Sequence, residues 1–369
     1  METTGLFYYN KMKITNPTLL LDAEKCKTNI RKIALKAKKN NLIFRPHFKT
    51  HQSIEIGEWF RNEGINAITV SSVKMANYFS THWDDILIAF PVNILEIDDI
   101  NLLASKINLT LLIENLDSLV YLSENLKFNV NYNLKIDIGY NRTGIEPDNL
   151  ILINELIHFN SEHLNFTGFL GHAGHSYKCR SNKDITEVHV KSTEIIKSLK
   201  SIYKQEFPDL KVSIGDTPTC SIVSEFEGID ELRPGNLVFY DLTQNNISSN
   251  TIDEIAVCMV CPVVAIHPDR NEVVIYGGGV HFAKDFLVHK DYGTIYGIVV
   301  DQSNWGKEIP NCYIKSLSQE HGILHVSHEF LSKLKVGDLI HILPVHSCMT
   351  ANSMGEYYTT EGERISRLN

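Results

Sequence analysis

The feature that most constrains the fold is an alternation of short apolar runs with longer helical segments between residues 42 and 241. Each apolar run ends in glycine or polar residues, as is typical of parallel strands that are buried on both faces. The pattern predicts eight strands, at residues 43–49, 67–71, 86–90, 109–114, 134–139, 168–173, 212–216 and 237–241. Helices are predicted between them, for example at residues 73–79, 116–125, 149–159 and 185–205. Eight such repeats in about 200 residues favour a closed (β/α)8 barrel, and the alternative is an open, doubly wound sheet.

The sequence changes character after Asp241. Strands are predicted at residues 255–265, 272–276, 295–300, 322–325 and 339–344, with Pro, Gly, Asn and Asp turns between them. We therefore expect a barrel domain at residues 20–244 and a mainly β-domain at residues 245–369, which the N-terminal residues 1–19 join. Asp22 is expected to be the N-cap of the first helix, accepting a hydrogen bond from the amide of Lys25 or a neighbour.

Composition and charge limit the classes of partner. The 35 basic and 44 acidic side chains leave a formal charge of −9, which argues against nucleic acid or an anionic membrane as the main partner, because both need basic clusters. The lysine-rich run at residues 25–39 is better explained as the solvated face of a helix whose apolar side carries Ile30, Ile33, Ala34 and Ala37. No apolar run of about 18 residues predicts a membrane span, and no secretory signal is recognised at the start. Seven scattered cysteines do not suggest a disulfide framework, so we expect a reducing cytoplasm.

Five groups of polar residues lie at the ends of predicted strands, where the active sites of barrel enzymes lie. They are residues 45–51 (RPHFKTH), 137–144 (DIGYNRTG), 171–177 (GHAGHSY), 215–219 (GDTPT) and 233–241 (RPGNLVFYD). The fourth group suits a phosphate, which backbone amides and threonine hydroxyls can hold. Singly, each group could be a strand-to-helix turn, but five of them at strand ends are hard to explain as turns alone.

Lys49 ends the first predicted strand, and Arg45 and His47 alternate with it on one face. A lysine at the interior end of a barrel is costly to bury unless its pKa falls or it forms a neutral imine. Schiff-base catalysis uses a lysine whose pKa is lowered and that forms an imine. Taken alone, Lys49 is better explained as a strand-end side chain that reaches solvent.

In this order, and with a late His-x-Cys, these groups resemble the D-serine dehydratase/D-threonine aldolase family. Its members are fold-type III pyridoxal-phosphate enzymes related to alanine racemase, and the resemblance covers residues 17–357. It implies that Lys49 carries pyridoxal 5'-phosphate and that the chain forms a head-to-tail homodimer. The other cofactor residues that it implies are Gly215, Thr217, Thr219, Gly235 and Asn236 around the phosphate, Arg142 and Tyr177 along the ring, and Tyr240.

His346 and Cys348 follow the predicted strand at residues 339–344. In an extended chain they face the same side, so an imidazole and a thiolate could bind one cation; the alternative is a buried cysteine beside an incidental histidine. The resemblance implies a divalent metal here, with zinc preferred by the thiolate and manganese or magnesium possible if a carboxylate joins. Cys258 and Cys261 form a C-x-x-C without a second pair inside an apolar strand, and we interpret them as core residues.

The resemblance implies a lyase that acts on a small-molecule substrate, a β-hydroxy D-amino acid. The expected reaction is dehydration of D-serine to pyruvate and ammonia, with Lys49 as the catalytic lysine. One alternative is retro-aldol cleavage of D-threonine, in which His172 or His175 could be the base. Dehydration of D-threo-3-hydroxyaspartate, a racemase that uses Tyr292 or Tyr296, and a non-catalytic cofactor-binding protein are the others.

Overall fold

A computed structural model describes residues 8–9 and 12–368 of the chain. Its strands are, in chain order, β1 (Tyr8–Tyr9), β2 (Met12–Lys13), β3 (Thr18–Leu21), β4 (Ile43–Phe44), β5 (Ala67–Val70), β6 (Asp85–Pro91), β7 (Asn108–Ile113), β8 (Val130–Lys135), β9 (Leu164–Leu170), β10 (Lys211–Ile214), β11 (Glu231–Leu232), β12 (Val257–His267), β13 (Glu272–Tyr276), β14 (Leu287–His289), β15 (Gly293–Ile295), β16 (Gly297–Asp301), β17 (Asn304–Leu317), β18 (His321–His325), β19 (Leu339–Pro344), β20 (Tyr357–Thr359) and β21 (Arg364–Ile365). Its α-helices are α1 (Ala23–Lys39), α2 (Ile54–Arg61), α3 (Val73–Phe79), α4 (Ile97–Ala104), α5 (Leu116–Asn125), α6 (Leu150–Ile157), α7 (Asn182–Tyr203), α8 (Thr217–Ile222), α9 (Leu242–Asn246), α10 (Gly279–Phe282), α11 (His328–Leu331) and α12 (Ser347–Met354).

Strands β4 to β11, all in the described part of the chain, form one parallel sheet in the order β4-β11-β10-β9-β8-β7-β6-β5. Backbone hydrogen bonds join the two ends of this order: Phe48 N donates to Thr69 O at 2.8 Å, and Thr69 N donates to Pro46 O at 2.9 Å. The sheet therefore closes. The prediction of an eight-stranded α/β barrel is confirmed, and the alternative of an open sheet is wrong.

Strands β8 and β9 each begin four residues before the predicted starts at residues 134 and 168, and two further strands differ more. The prediction of an eighth strand at residues 237–241 is wrong, because Asn236–Val238 form a 3-10 turn and the strand is β11. The first strand stops at Phe44, and His47 alone forms a further bridge, to Thr69. Backbone hydrogen bonds nevertheless continue beyond Phe44, from Arg45 N to Leu232 O and from His47 N to Pro234 O, while Pro46 has no N–H to donate toward β5.

Polar side chains begin most of the barrel helices. Asp22 Oδ1 accepts from Lys25 N at 3.0 Å, which confirms the N-cap predicted for α1. The lysine-rich helix buries Ile30, Ile33 and Ala37, as its apolar spacing predicted. The N-caps of α2, α3, α5, α6, α7 and α8 are Ser53, Ser72, Asn115, Asn149, Ser181 and Asp216.

The chain divides into two compact units, residues 30–235 and residues 1–29 with 236–369. In the second unit, the described strands form a sheet in the order β13-β18-β17-β16-β19-β12-β3-β20-β21. Strand β3 pairs antiparallel with β12 and parallel with β20. The N-terminal segment therefore joins the β-domain as predicted.

The cysteines are free thiols, and six of the seven are buried. Cys258 and Cys261 lie in β12 with no exposed surface, and burial raises the pKa of both. They are core residues, as their apolar surroundings predicted. In the described part of the chain, no helix combines the length and the apolar character that a membrane crossing requires.

Candidate active site

Lys49 lies in the turn that follows the first barrel strand, and its side chain is exposed. We expected it at the interior end of the strand, but the strand ends five residues earlier, at Phe44. The neighbouring Phe48 is fully buried, with its ring centre 5.0 Å from that of Phe79 and 5.2 Å from that of Trp83. These aromatic contacts anchor the turn that carries the lysine.

Two histidines of the barrel, His172 and His47, are held neutral. His172 Nδ1 lies 2.5 Å from Gly215 O. Because a carbonyl only accepts, Nδ1 carries the hydrogen and Nε2 carries the lone pair. Burial lowers the pKa of His172 to about 3, and the charges of Lys49 and Arg233 act in the same direction. The pKa of His47 is lowered by burial and by the same two charges, so at neutral pH neither imidazole takes up a second proton.

The loop at residues 137–144 is built around one carboxylate. Asp137 Oδ1 accepts from the amides of residues 139–141 at 2.9, 2.9 and 3.1 Å. Gly144 has a φ of +117°, and a Cβ there would lie 2.6 Å from Asp137 N, so only glycine allows this path. The loop carries Tyr140 and Arg142, whose guanidinium carbon lies 4.9 Å from the centre of the tyrosine ring.

Tyr140 connects this loop to residues 171–177. Its ring meets that of His172 edge-on at 5.8 Å and stacks on that of His175 at 6.4 Å. Tyr177 is half-buried in the 3-10 turn Gly174–Lys178 of the same segment. The structure thus brings together the two predicted histidines. Sequence reasoning missed Tyr140, which stood unremarked inside the Asp-x-Gly-x-x-Arg motif.

Residues 215 and 217 have features that fit a phosphate. Thr217 Oγ1 is buried and has no hydrogen-bond partner among the described residues. A Cβ at Gly215 would lie 2.7 Å from the carbonyl carbon of Arg233, and a Cβ at Gly235 would lie 2.5 Å from His47 O. A buried hydroxyl with no partner costs free energy unless a ligand satisfies it, and the two glycines let backbone approach closely. These are the groups that a phosphate of the cofactor would use.

Asp216, between these residues, has a structural role that sequence reasoning passed over. Its Oδ1 accepts from Thr219 N and from Ser176 Oγ, each at 2.8 Å, and its Oδ2 accepts from Thr219 Oγ1 at 2.7 Å. Burial raises the pKa of Asp216 to about 6 although these hydrogen bonds lower it. Thr219, a predicted phosphate residue, therefore gives its hydroxyl hydrogen to Asp216. An Asp directly before Thr-Pro is the available sequence signal, since that is a typical N-cap position.

Lys36 secures the far end of the short helix α8. Its Nζ donates to Cys220 O and Ser221 O at 2.7 Å and to Val223 O at 2.8 Å, all at the C-terminal end of the helix. Lys36→Met should lower the free energy of unfolding by about 2 kcal/mol, because hydrogen bonds to a charged donor are lost and carbonyls are left unsatisfied. Denaturant unfolding measures this, with Lys38→Met on an exposed position of the same helix as the control. Equal stabilities of the two variants would contradict the assignment.

Arg233 is held inside the barrel. Its Nε donates to Ser213 Oγ and its Nη2 donates to Gly171 O, both at 2.6 Å. Ser213 Oγ in turn donates to Glu231 Oε1 at 2.6 Å, and Arg45 Nε donates to Glu231 Oε2 at 2.7 Å. This buried chain of hydrogen bonds ties the strand ends together, so the guanidinium of Arg233 supports the site from within the barrel.

His346 and Cys348 belong to the second unit and lie at the start of α12. The extended geometry predicted for them is wrong, because the helix begins at Ser347, with His346 as its N-cap. The two side chains are nevertheless close enough to interact. Burial alone would lower the pKa of His346, but hydrogen bonds to Asp285 and to Cys348 raise it above its ordinary value. His346 Nδ1 lies 3.4 Å from Asp285 Oδ1.

The pair fits a divalent cation by its donor chemistry. Both side chains are half-exposed, so a cation can reach them, and imidazole with thiolate is a donor set that zinc prefers. Among the described residues, no group of three His, Cys, Asp or Glu side chains could hold a metal ion. The pair therefore suits an open site rather than a closed structural one. Asp285 was not predicted, because it is distant in sequence and belongs to no motif.

Two further predicted cofactor residues, Asn236 and Tyr240, also belong to the second unit. Tyr240 has no exposed surface and a φ of +49°, a backbone region that is unfavourable for a bulky residue. The side-chain amide of Asn236 donates to Asp241 and Ser347, which leaves the backbone amide as its means of holding a phosphate. The cofactor roles of both residues stay predictions.

Two family models match the chain. The model described as "Alanine racemase, N-terminal domain" matches residues 21–242, and the model described as "Putative serine dehydratase domain" matches residues 256–360. Together they span the two regions that the sequence pattern separated.

Individual proteins resemble the chain over nearly its whole length. A D-serine dehydratase of Dictyostelium discoideum is 31% identical, covering 95% of this chain and 94% of that protein. A solved metal-free mutant of D-threo-3-hydroxyaspartate dehydratase has a TM-score of 0.89 at 22% identity, covering 96% of this chain and 97% of that one. A D-threonine aldolase from Filomicrobium marinum has a TM-score of 0.82 at 20% identity, covering 96% of this chain and 95% of that one. The last two likenesses bear on the fold.

Proposed function

The chain belongs to the D-serine dehydratase family with an N-terminal domain of the alanine racemase type, and on that basis we propose that it dehydrates D-serine to pyruvate and ammonia. It is a lyase that depends on pyridoxal 5'-phosphate, and we propose a divalent metal, most suitably zinc, as its second cofactor. D-threo-3-hydroxyaspartate is a substrate of the same chemical class, since it too carries a β-hydroxyl group.

The observation that carries the proposal is the His346 and Cys348 pair. A lysine that binds the cofactor serves racemases, aldolases and dehydratases alike, so Lys49 alone does not select a reaction. A half-exposed imidazole beside a thiol is suited to a cation that binds a substrate oxygen. Among the reactions of this cofactor, such a cation is useful where a β-hydroxyl group must react.

In the proposed site, the barrel residues bind the cofactor and supply the base. Lys49 Nζ would hold the cofactor and, when free, would serve as the base that removes the proton from Cα of D-serine. Gly215, Thr217 and Gly235 would hold the phosphate, and Arg142 and Tyr177 would bind the ring. Pyridoxal 5'-phosphate supplies the electron sink that stabilises negative charge at Cα.

His346 and Cys348 would hold the metal, which would act as a Lewis acid on the β-hydroxyl group. Loss of the Cα proton and of the hydroxyl group as water leaves 2-aminoacrylate, which hydrolyses to pyruvate and ammonia. The proton that Lys49 removes is available to the departing hydroxyl, so the atoms and charges of the dehydration balance without another reactant.

The state of His172 favours dehydration over retro-aldol cleavage. The retro-aldol reaction needs a base for the β-hydroxyl group, and a pKa of about 3 makes His172 a weak one. Burial also lowers the pKa of His175, and a lower pKa makes its imidazole a weaker base. Dehydration does not need either histidine to accept a proton, because the hydroxyl group leaves with its electrons.

The test of the function is an assay of the purified protein with pyridoxal 5'-phosphate and zinc. D-serine should give pyruvate and ammonia in equal amounts, and L-serine should give neither. Formation of glycine and acetaldehyde from D-threonine at a higher kcat/KM than D-serine dehydration would assign the aldolase reaction instead. Appearance of L-serine from D-serine would assign a racemase.

We also propose that the protein is a cytoplasmic homodimer, as expected from the resemblance and from the free cysteines. Phe286 and Val288 are candidates for a subunit contact, because these residues are 57% and 70% exposed. Exposed apolar side chains mark a contact with another protein where they form a contiguous patch, and we propose that these two residues belong to such a patch.

A further inference from the structure

A buried cluster of hydrogen bonds surrounds the start of helix α12. Asn236 Nδ2 lies 2.8 Å from Asp241 Oδ2, 3.0 Å from Ser347 Oγ and 3.4 Å from Cys348 Sγ. Asn236, Asp241 and Ser347 are 6%, 1% and 0% exposed. The side-chain amide of Asn236 therefore reaches the sulfur of the proposed metal ligand from within the protein.

The carboxylate of Asp241 determines which way this amide faces. Asp241 Oδ2 accepts from Ser347 N at 3.0 Å and from Ser347 Oγ at 3.2 Å as well as from Asn236. If the amide were flipped, its oxygen would meet the carboxylate oxygen, and neither atom carries a hydrogen. The NH2 group must therefore face Asp241 with one hydrogen, and its second hydrogen is shared between Ser347 Oγ and Cys348 Sγ.

The side-chain oxygen of Asn236 takes no part in this cluster of hydrogen bonds. Asn236 Oδ1 is buried and has no hydrogen-bond partner among the described residues. A buried oxygen without a partner costs free energy, so packing alone would be better served by an apolar residue of the same size. What asparagine adds at this position is the NH2 group, and that group points to Asp241, Ser347 and the sulfur.

We propose that Asn236 is a positioning residue for metal binding, which fixes Cys348 Sγ toward the cation by a hydrogen bond that Asp241 orients. Partners of this kind hold a metal ligand in its binding geometry, and their loss weakens metal binding. The inference rests on the metal role proposed for His346 and Cys348. It differs from the sequence expectation, in which Asn236 serves the phosphate.

The test compares Asn236→Leu with the wild-type protein, both loaded with pyridoxal 5'-phosphate. Zinc affinity, measured by competition with a chromophoric chelator, should fall about 10- to 100-fold in the variant, and cofactor affinity should stay within about twofold. With cobalt in place of zinc, the sulfur-to-cobalt charge-transfer band should weaken or shift in the variant. Asn236→Ser, whose hydroxyl is too short to replace the amide, should behave in the same way if the leucine variant does not fold.

A matched control is Asn29→Leu. Asn29 is 2% exposed, belongs to the same unit, and donates its side-chain amide to Glu254 O at 2.9 Å. The Asn29→Leu protein should be less stable than the wild-type protein but should keep its zinc affinity. Unchanged zinc affinity in both Asn236 variants would overturn the inference. If Cys348→Ala itself kept full zinc affinity, the proposed metal pair would be wrong. This result is distinguishable from a failure of the role proposed for Asn236, in which only the Asn236 variants keep their zinc affinity.

Discussion

Lys49→Ala is expected to lower kcat/KM for D-serine by about 10³-fold or more, because it removes both the covalent attachment of the cofactor and the base for the Cα proton. The variant should still fold, since Lys49 is exposed and its turn is anchored by Phe48, which has no exposed surface. Steady-state kinetics measure the fall in kcat/KM. Loss of the visible absorption of the lysine-bound cofactor measures the loss of the covalent attachment.

The matched control is Lys183→Ala, at a lysine that is exposed on α7 and has no role in the proposed site. It should keep wild-type kcat/KM within about twofold, as is usual for exposed surface substitutions. A Lys49→Ala protein with nearly wild-type turnover would contradict the placement of the cofactor, whichever reaction the enzyme carries out.

The second large effect is a loss of zinc and of activity when the proposed metal ligands are replaced. Cys348→Ala and His346→Ala should each reduce bound zinc from about one ion per chain to almost none. Both should lower kcat for D-serine by about 10²- to 10³-fold, because the Lewis acid on the β-hydroxyl group contributes several kcal/mol. Metal analysis after gel filtration gives the zinc content. A chelator should have the same effect on the wild-type protein, and added zinc should reverse it.

Cys258→Ala separates this pair from the other cysteine motif. Cys258 is fully buried in β12, so its replacement should reduce stability by about 1 kcal/mol through lost packing and leave zinc content unchanged. Zinc retained by Cys348→Ala but lost from Cys258→Ala would show that the metal belongs to the C-x-x-C segment.

Periodicity predicted the barrel well where strands are apolar and poorly where the barrel interior is polar. The eighth strand carries Glu231, which pairs with Arg45 inside the barrel, so it lacks the apolar run that marks a buried strand. Residues 237–241 have such a run and are buried, but they form a 3-10 turn and a residue at positive φ. An apolar run reports burial, and it does not distinguish a strand from a buried turn.

Sequence motifs pick out candidate site residues where a single loop carries several of them. His172, His175 and the Gly215–Thr219 loop each stand in one motif, and the barrel brings the ends of its strands to one edge. Asp285 and Asn236 illustrate what could not be predicted. Their contacts with His346 and Cys348 join residues 61 and 112 positions apart, and no local pattern records pairs at such separations.

Lys135 is the rival to Lys49 for the cofactor. Burial lowers its pKa to about 8, and it donates Nζ to Ile136 O at 2.9 Å, features that suit a Schiff-base lysine. It is only 5% exposed within β8, however, whereas Lys49 is exposed in the turn beyond its strand. A lysine that must bind a cofactor and then exchange it for a substrate needs that access.

The most direct test is a peptide map of the cofactor-loaded protein after borohydride reduction, which makes the lysine linkage permanent. Mass spectrometry should place the reduced cofactor on the peptide that contains Lys49. A reduced cofactor on the peptide that contains Lys135, or on any other lysine, would contradict the account.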